Sequence, residues 1–487
     1  MIDLEGLSFR YRSCTLPALQ NIDLRIADGE IFLIIGESGS GKTTLAKIMA
    51  GFLGPGSGEM EGKVLIDGVD VHAVPRQNLV GLVGLVQQDP ESQMVTLNVK
   101  DELAFGLENM GVGRREMEER ISWALESTGS IGLSERQISS LSGGELQKVA
   151  ISSILALRPK VLILDEPTSS LDPRSAWEIG DVLGRLNSQG VTIVVIEHRY
   201  SWIAARASRM AVLSHGSVSA LHSCPLIEKT QARSAARRQP PKTLSPDPLL
   251  LIEHVSFAYD GTEVLKDVTL DIRRGEMVGL MGDNGSGKTT LLLMIMGMLR
   301  PSRGQVKFAG RRVEVTSAIA REVGMVFQNP NHQIFESSIN DEILFGPRNF
   351  GIPREEADAR LSDVAATLGL RDRGESSPHA LSLGEKRRLN VASVVVYEPH
   401  LYLLDEPFVG QDQGNVDRIM AIVREKVDRG ASCLLVTHDP DLASESCDRI
   451  AFLKRGRVLV QGPPDHVFST LDKEDEKWYL PEGWRGS

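Results

Sequence analysis

Cysteine is scarce in this chain: Cys14, Cys224, Cys433 and Cys447 are the only four among 487 residues, and no two stand in a C-x-x-C spacing. That excludes a disulfide-stapled scaffold and leaves no cluster for zinc or iron–sulfur; mostly buried thiols in a reducing cytoplasm are the expectation. Long apolar runs are missing as well. The best window, Leu291 to Leu299, is at most half of the roughly 18 residues that a spanning helix needs. Met1-Ile-Asp-Leu-Glu-Gly6 has no basic stretch ahead of an apolar one, so no signal peptide is expected. If the chain serves a membrane process, another chain must supply the membrane. Basic charge is not in excess either. With 54 Lys and Arg against 65 Asp and Glu, the net charge of −11 argues against bulk nucleic acid as the main partner, though not against a local basic groove.

What the chain does have is a repeat. The apolar run Val161-Leu-Ile-Leu ends in Asp165-Glu166, and a second copy ends in Asp405-Glu406, 240 residues later (405 − 165). Such a run reads as a buried parallel strand delivering two carboxylates to its C-terminal edge, where ligands bind in open α/β sheets. The repeat sets the domain count at two, placed at 1–222 and 249–470, with a linker at 223–248 and a tail at 471–487. The expected fold class is α/β: each domain has a mostly parallel sheet core, an antiparallel β subdomain and an inserted helical subdomain.

Each half opens with alternating runs that predict antiparallel strands, Leu7 to Tyr11 and Ala18 to Ile26 in the first. Tyr11 and its copy Tyr259 either pack or stack on a base. An apolar strand then enters Gly36-Glu-Ser38-Gly39-Ser-Gly41-Lys42-Thr43-Thr44, repeated as Gly282-Asp-Asn284-Gly285-Ser-Gly287-Lys288-Thr289-Thr290. Strand, glycine loop and helix in that order form a phosphate cradle: loop N–H groups surround phosphates, lysine reaches the β and γ groups, and the first threonine ligates Mg²⁺. Two copies in matching contexts point to nucleotide phosphate binding.

Gln88 and Gln328 follow the next apolar strands. Each is either a solvated loop residue or a carbonyl oxygen near Mg²⁺. Charged amphipathic helices are predicted over 113–128 and 353–368. Ser142-Gly143-Gly144-Glu145 and Ser382-Leu383-Gly384-Glu385 each open another helix, whose N-terminus can face an anion. His198 and His438 end later strands at the same 240-residue offset, which favours a γ-phosphate contact over a purely structural role. The stretch Ser223 to Pro248, with Arg233, Arg237, Arg238, Pro240, Pro241 and Pro246, reads as a solvated linker stiffened by proline. Trp478, Tyr479 and Trp484 in the tail must pack or meet a partner.

With phosphate loop, Gln, Ser-Gly-Gly-Glu, Asp-Glu and His in order in both halves, the chain resembles the ATP-binding cassette superfamily along nearly its whole length. Gln88-Asp-Pro-Glu-Ser-Gln93 and Gln328-Asn-Pro-Asn-His-Gln333-Ile-Phe335, followed by Ala104-Phe-Gly106 and Leu344-Phe-Gly346, further resemble the ATPase of energy-coupling factor importers of vitamins and transition-metal ions. The resemblance implies Mg²⁺·ATP held by Lys42 and Thr43, or Lys288 and Thr289, with Asp165 or Asp405 on the metal alongside Gln88 or Gln328. Glu166 or Glu406 would polarise the attacking water, and His198 or His438 would steady the γ-phosphate. It also implies a head-to-tail pairing in which Ser142, Gly143 and Gly144 complete the second site, and Ser382 and Gly384 the first. Leu383 departs from the family's glycine, which makes the site ending in Glu406 the expected carrier of more turnover. The implied partners are an integral membrane transporter subunit and a membrane substrate-capture subunit, with the chain peripheral at the cytoplasmic face of the membrane. The rival class is a soluble tandem ATPase acting on ribosomes or nucleic acid, against which stand the short proline-broken linker and the lack of zinc spacing. A fused sugar-importer ATPase is a third reading, but one half of those commonly loses its catalytic residues.

Overall fold

Burial alternates between two cores along the central strands. In Val161–Asp165, Val161 and Ile163 enter one apolar core while Leu162 and Leu164 enter another, as expected of a strand covered on both faces. Leu401–Asp405 repeats this, with Leu401 and Leu403 on one side and Tyr402 and Leu404 on the other. The structure, a computed structural model, describes residues 1–12, 14–198, 200–223, 247–314 and 319–484. The chain divides into two compact units, 1–232 and 233–487.

The strands of unit 1 are β1 (Ile2–Tyr11), β2 (Leu19–Ile26), β3 (Ile31–Gly36), β4 (Gly58–Ile66), β5 (Val69–Asp70), β6 (Val83–Val86), β7 (Val161–Asp165), β8 (Thr192–Ile196), β9 (Arg209–Ser214) and β10 (Ser217–Ser223). They form a four-stranded sheet ordered β2-β1-β4-β5 and a six-stranded sheet ordered β10-β9-β3-β8-β7-β6. The first is antiparallel. In the second, β9, β3, β8, β7 and β6 run parallel and β10 turns back along β9. Helices Val99–Asn109, Arg114–Thr128 and Gly143–Leu155 pack together as the helical subdomain.

Unit 2 repeats the plan with β11 (Pro248–Tyr259), β12 (Thr262–Arg273), β13 (Met277–Met281), β14 (Arg303–Phe308), β15 (Arg311–Arg312), β16 (Val323–Val326), β17 (Leu401–Asp405), β18 (Ser432–Val436), β19 (Arg449–Lys454) and β20 (Arg457–Gly462). Its sheets are ordered β12-β11-β14-β15 and β16-β17-β18-β13-β19-β20.

The matching Asp-Glu pairs after each Gln have a structural purpose. Glu102 is buried and its Oε2 accepts from Val95 N at 3.0 Å, Thr96 N at 2.8 Å and Thr96 Oγ1 at 3.0 Å. Glu342 Oε2 accepts from Phe335 N at 3.0 Å and Glu336 N at 2.8 Å. Each carboxylate thus folds its segment back over the first turn of the following helix. The tail packs: Tyr479 is fully buried against Phe452, and Trp484 lies edge-on to Phe468. The linker with its arginines and prolines, and Cys224, fall outside the described residues apart from its flanking positions. Among the described residues no helix is long and apolar enough to cross a membrane.

Candidate functional site

Because β3, β8 and β7 are parallel and in register, with Ile34 and Asp165 both level with Ile196, their C-terminal ends reach one edge of the sheet. The loops that leave this edge carry Gly36 to Thr44, Asp165-Glu166 and His198, and β6 brings Gln88 to the same edge. Unit 2 does the same with β13, β17, β18 and β16.

The glycine loops need their glycines. Gly41 has φ 100° and a Cβ there would meet Ala18 O at 2.5 Å; Gly287 has φ 103° and would meet Leu265 Cδ2 at 2.6 Å. Gly36, Gly39, Gly282 and Gly285 also carry positive φ. Lys42 Nζ donates to Gly36 O and Glu37 O, both at 2.8 Å, and Lys288 Nζ donates to Gly282 O and Asp283 O at 2.8 Å. Ser38, exposed, and Asn284, half-buried, lie in the turns of the two loops. The buried hydroxyls Ser40 Oγ and Ser286 Oγ have no hydrogen-bond partner among the described residues, and an unpaired buried hydroxyl costs free energy until a ligand acceptor meets it. They fit a phosphate oxygen. Sequence reasoning passed over both serines, although they sit inside the motif.

The donor set also fits Mg²⁺, which takes hard oxygen ligands. Thr43 Oγ1 lies 3.2 Å from Asp165 Oδ1, and Thr289 Oγ1 lies 2.7 Å from Asp405 Oδ2. Burial pushes the Asp165 carboxyl up to about 6, with the neighbouring Glu166 adding to it. Burial likewise raises Asp405 to about 6, against the opposing hydrogen bond from Thr289. A bound cation supplies the charge that such a carboxylate requires. Glu166 and Glu406 each have φ 48°, a strained left-handed backbone for a side chain with a Cβ. His198 Nε2 is 3.0 Å from Glu166 Oε1, and His438 Nε2 is 2.6 Å from Glu406 Oε1. Burial alone would raise Glu406, but the charge and hydrogen bond of His438, with Lys288 and Arg387, outweigh it and hold the carboxyl below its ordinary value.

Gln88 Nε2 donates to Glu166 Oε2 at 2.6 Å, leaving its carbonyl oxygen available to a cation, whereas Gln328 is exposed. Tyr11 packs edge-on to Phe9, and its hydroxyl meets Thr44 Oγ1 at 3.0 Å. Tyr259 is exposed, and its counterpart threonine Thr290 is buried. Of the two tyrosines, Tyr259 has the more accessible face for a base.

Ser142 and Ser382 cap helices Gly143–Leu155 and Leu383–Val395 with reciprocal bonds to Glu145 and Glu385. Leu383 does not disturb this turn. Ser382 (φ −62°, ψ 162°) matches Ser142 (φ −69°, ψ 160°), and the Leu383 side chain is exposed. A Cβ on Gly143 would meet only Leu171 Cδ2, at an ordinary 3.6 Å, whereas one on Gly144 would press on Ser175 Oγ at 3.0 Å and one on Gly384 on Gln411 Nε2 at 3.1 Å. The second glycine of each motif is the more tightly enclosed one.

The sequence model of the ABC transporter family matches residues 19–169 and 265–409. The chain belongs to the ABC transporter family. It is an ATPase with two nucleotide-binding domains in one chain, and it takes ATP with Mg²⁺. A protein of Methanosarcina mazei named "Putative ABC transporter ATP-binding protein" is 33% identical over 99% of this chain and 92% of its own length. "Putative HMP/thiamine import ATP-binding protein YkoD" of Bacillus subtilis is 32% identical over 96% of this chain and 92% of its own. Among solved structures, "RNase-L Inhibitor" shares the tandem fold, with a TM-score of 0.65 over 96% of this chain and 93% of that one; at 21% identity the likeness is one of fold alone.

The two ABC units differ beside Glu166 and Glu406, at a pair of positions outside the shared motifs. Unit 1 has Thr168 and Glu197 where unit 2 has Phe408 and Thr437. Glu197 is buried; its Oε1 takes Thr168 Oγ1 at 2.7 Å and Thr168 N at 3.2 Å, and its Oε2 takes His198 N at 3.2 Å. Burial pushes this carboxyl up to about 8, with Glu166 adding to the rise. An acid whose folded pKa is raised stabilises the fold at low pH and loses that contribution as pH rises toward the folded value. The window here runs from about 4.5 to about 8. Glu197→Gln has no such loss. Thermal midpoints measured at pH 5 and pH 8.5 should therefore show the variant gaining on the parent as pH rises; a constant difference would contradict the buried neutral acid.

Proposed function

We propose that this ABC ATPase energises a membrane importer of the energy-coupling factor type, one that carries a vitamin or a transition-metal ion. The observation that carries the reading is an apolar surface exposed just after each Gln. Val95 is 65%, Leu97 82% and Phe105 43% exposed in the first unit, and in the second Phe335 (58%) stacks edge-on with Phe345 (41%) at 4.5 Å. A contiguous exposed apolar surface rimmed by polar residues marks a contact site for a partner. Its attachment to the helical subdomain, a few residues from Gln88 or Gln328, would couple that partner to the nucleotide. The relative named for HMP/thiamine import, similar over nearly the whole chain, supports a vitamin-class cargo. The chain would sit peripherally at the cytoplasmic face, beside a transporter subunit and a substrate-capture subunit. The alternative, a soluble ATPase on ribosomes or nucleic acid, has support only from fold likeness.

In this reading Mg²⁺ supplies charge to the β and γ phosphates when nucleotide is bound. Lys42 and Lys288 would hold the phosphates, and Thr43, Thr289, Asp165, Asp405 and the two glutamines would hold the cation. Glu166 and Glu406 orient and polarise the attacking water, each steadied by its histidine, so that catalysis is mainly positioning and electrostatics. The Ser142 turn of one unit seals the triphosphate pocket of the other, and closure on ATP followed by reopening moves the partner.

Affinity purification of the full chain from detergent-solubilised membranes should bring down integral membrane proteins. Leu97→Asp with Phe335→Asp should lose them while retaining ATP binding; ribosomes in place of membrane proteins would overturn the proposal. Glu166 has both carboxylate oxygens engaged, by His198 and Gln88, which supports greater turnover at the Glu406 site. Removing a base of this kind costs about 10²-fold or more at its own site. Glu406→Gln should therefore abolish most steady-state ATPase activity and Glu166→Gln a lesser share. Equal losses, or a larger loss in Glu166→Gln, would refute the asymmetry.

A further inference from the structure

The segment after β20 reaches back to the second phosphate loop. Tyr479 is fully buried, its ring edge-on to Phe452 at 4.8 Å, and its hydroxyl donates to Asp283 Oδ1 at 2.6 Å. Phe452 is itself level with Met281, the residue that enters the loop. Asp283 is therefore held twice, its carboxylate by Tyr479 and its carbonyl by Lys288 Nζ at 2.8 Å. The same segment is fastened at two further points. Buried Glu476 pairs with Lys454 Nζ at 2.6 Å, and Glu482 N donates to Asp441 Oδ1 at 3.0 Å in Pro440–Ser446, the helix that follows His438. In the first loop Glu37 stands where Asp283 does, and it is exposed; the chain beyond β10 leaves the described residues at Ser223.

We propose that Tyr479 is a positioning residue for the second nucleotide site, and that the strap Lys477 to Trp484 fixes the phosphate loop against the His438 segment. This role presupposes the proposed binding of nucleotide by that loop. A loop whose N–H groups must converge on phosphates binds more tightly when its backbone is fixed beforehand, because less conformational entropy is lost on binding. A charge-assisted bond from a buried phenol to the loop's second residue supplies that fixation at the second site, and among the described residues no such bond reaches Glu37. The two ABC units would then differ in nucleotide affinity as well as in turnover.

Equilibrium titration with Mg²⁺·ADP, which needs no turnover, tests this in the full chain. Lys42→Ala isolates the second loop, and Lys288→Ala the first. In the Lys42→Ala background, Tyr479→Phe, which keeps the ring on Phe452, should weaken ADP binding by about 3- to 10-fold. In the Lys288→Ala background it should change nothing. Asp283→Ala should weaken binding as Tyr479→Phe does, with no further loss when the two are combined, while Asp283→Asn, which retains an acceptor, should keep most of the affinity. An unchanged Kd for Tyr479→Phe in the Lys42→Ala background, or equal weakening in both backgrounds, overturns the inference and leaves the nucleotide site standing. Failure of Lys42→Ala protein to bind ADP at all overturns both.

Discussion

The parallel register of the central strands is the constraint on which the chemistry depends. Asp165 lies level with Ile196 on β8, as Asp405 does with Val436 on β18, so the glutamate that follows each aspartate emerges beside its histidine, at the sheet edge that carries the glycine loop. A slip of one residue would turn every side chain to the opposite face. Two-sided burial of Val161 to Leu164 makes that slip costly, since either face would lose its core. The glutamate that follows takes a strained φ of 48°, and the surrounding sheet holds it there.

Two copies of one plan have diverged in how they surround that carboxylate. In unit 1, Glu166 is engaged by His198 and Gln88, with the buried acid Glu197 behind it. In unit 2, Glu406 pairs with His438, Gln328 stands exposed, and Phe408 and Thr437 take the places of Thr168 and Glu197. The substitutions run in concert: a buried carboxyl comes with a threonine that donates to it, and the apolar phenylalanine comes with no acid. Leu383, the departure most visible in the sequence, leaves the backbone of its turn unchanged. The difference between the sites thus lies more around the carboxylates than in the serine-glycine turns.

Elements with a local signal were legible from the residues alone. The apolar runs into Gly36, Gly282, Asp165 and Asp405 could only be buried strands meeting polar loops, and the repeat, at an offset of 246 for the glycine loops (282 − 36) and 240 for the Asp-Glu pairs (405 − 165), gave each motif a control. The antiparallel entry strands and the helices at Arg114–Thr128 and Arg354–Thr367 were similarly plain. What escaped depends on distant partners. Tyr479 meets Asp283 across 196 positions, and nothing near either residue announces the other. Glu197 reads as an ordinary polar residue at a strand end until Thr168 is seen to bury it. The clamping roles of Glu102 and Glu342 likewise belong to backbone N–H groups that no residue type reveals.

The proposed function depends on the two ATPase units closing on ATP, with the serine-glycine turn of one sealing the triphosphate pocket of the other. Its most direct test places cysteines at Ser142 and Asn284 in a chain lacking the native cysteines and carrying Glu406→Gln, and measures disulfide formation with and without Mg²⁺·ATP. The account predicts rapid crosslinking that requires ATP and disappears with Lys288→Ala. No crosslink at saturating ATP, in a protein shown to bind it, would contradict the account.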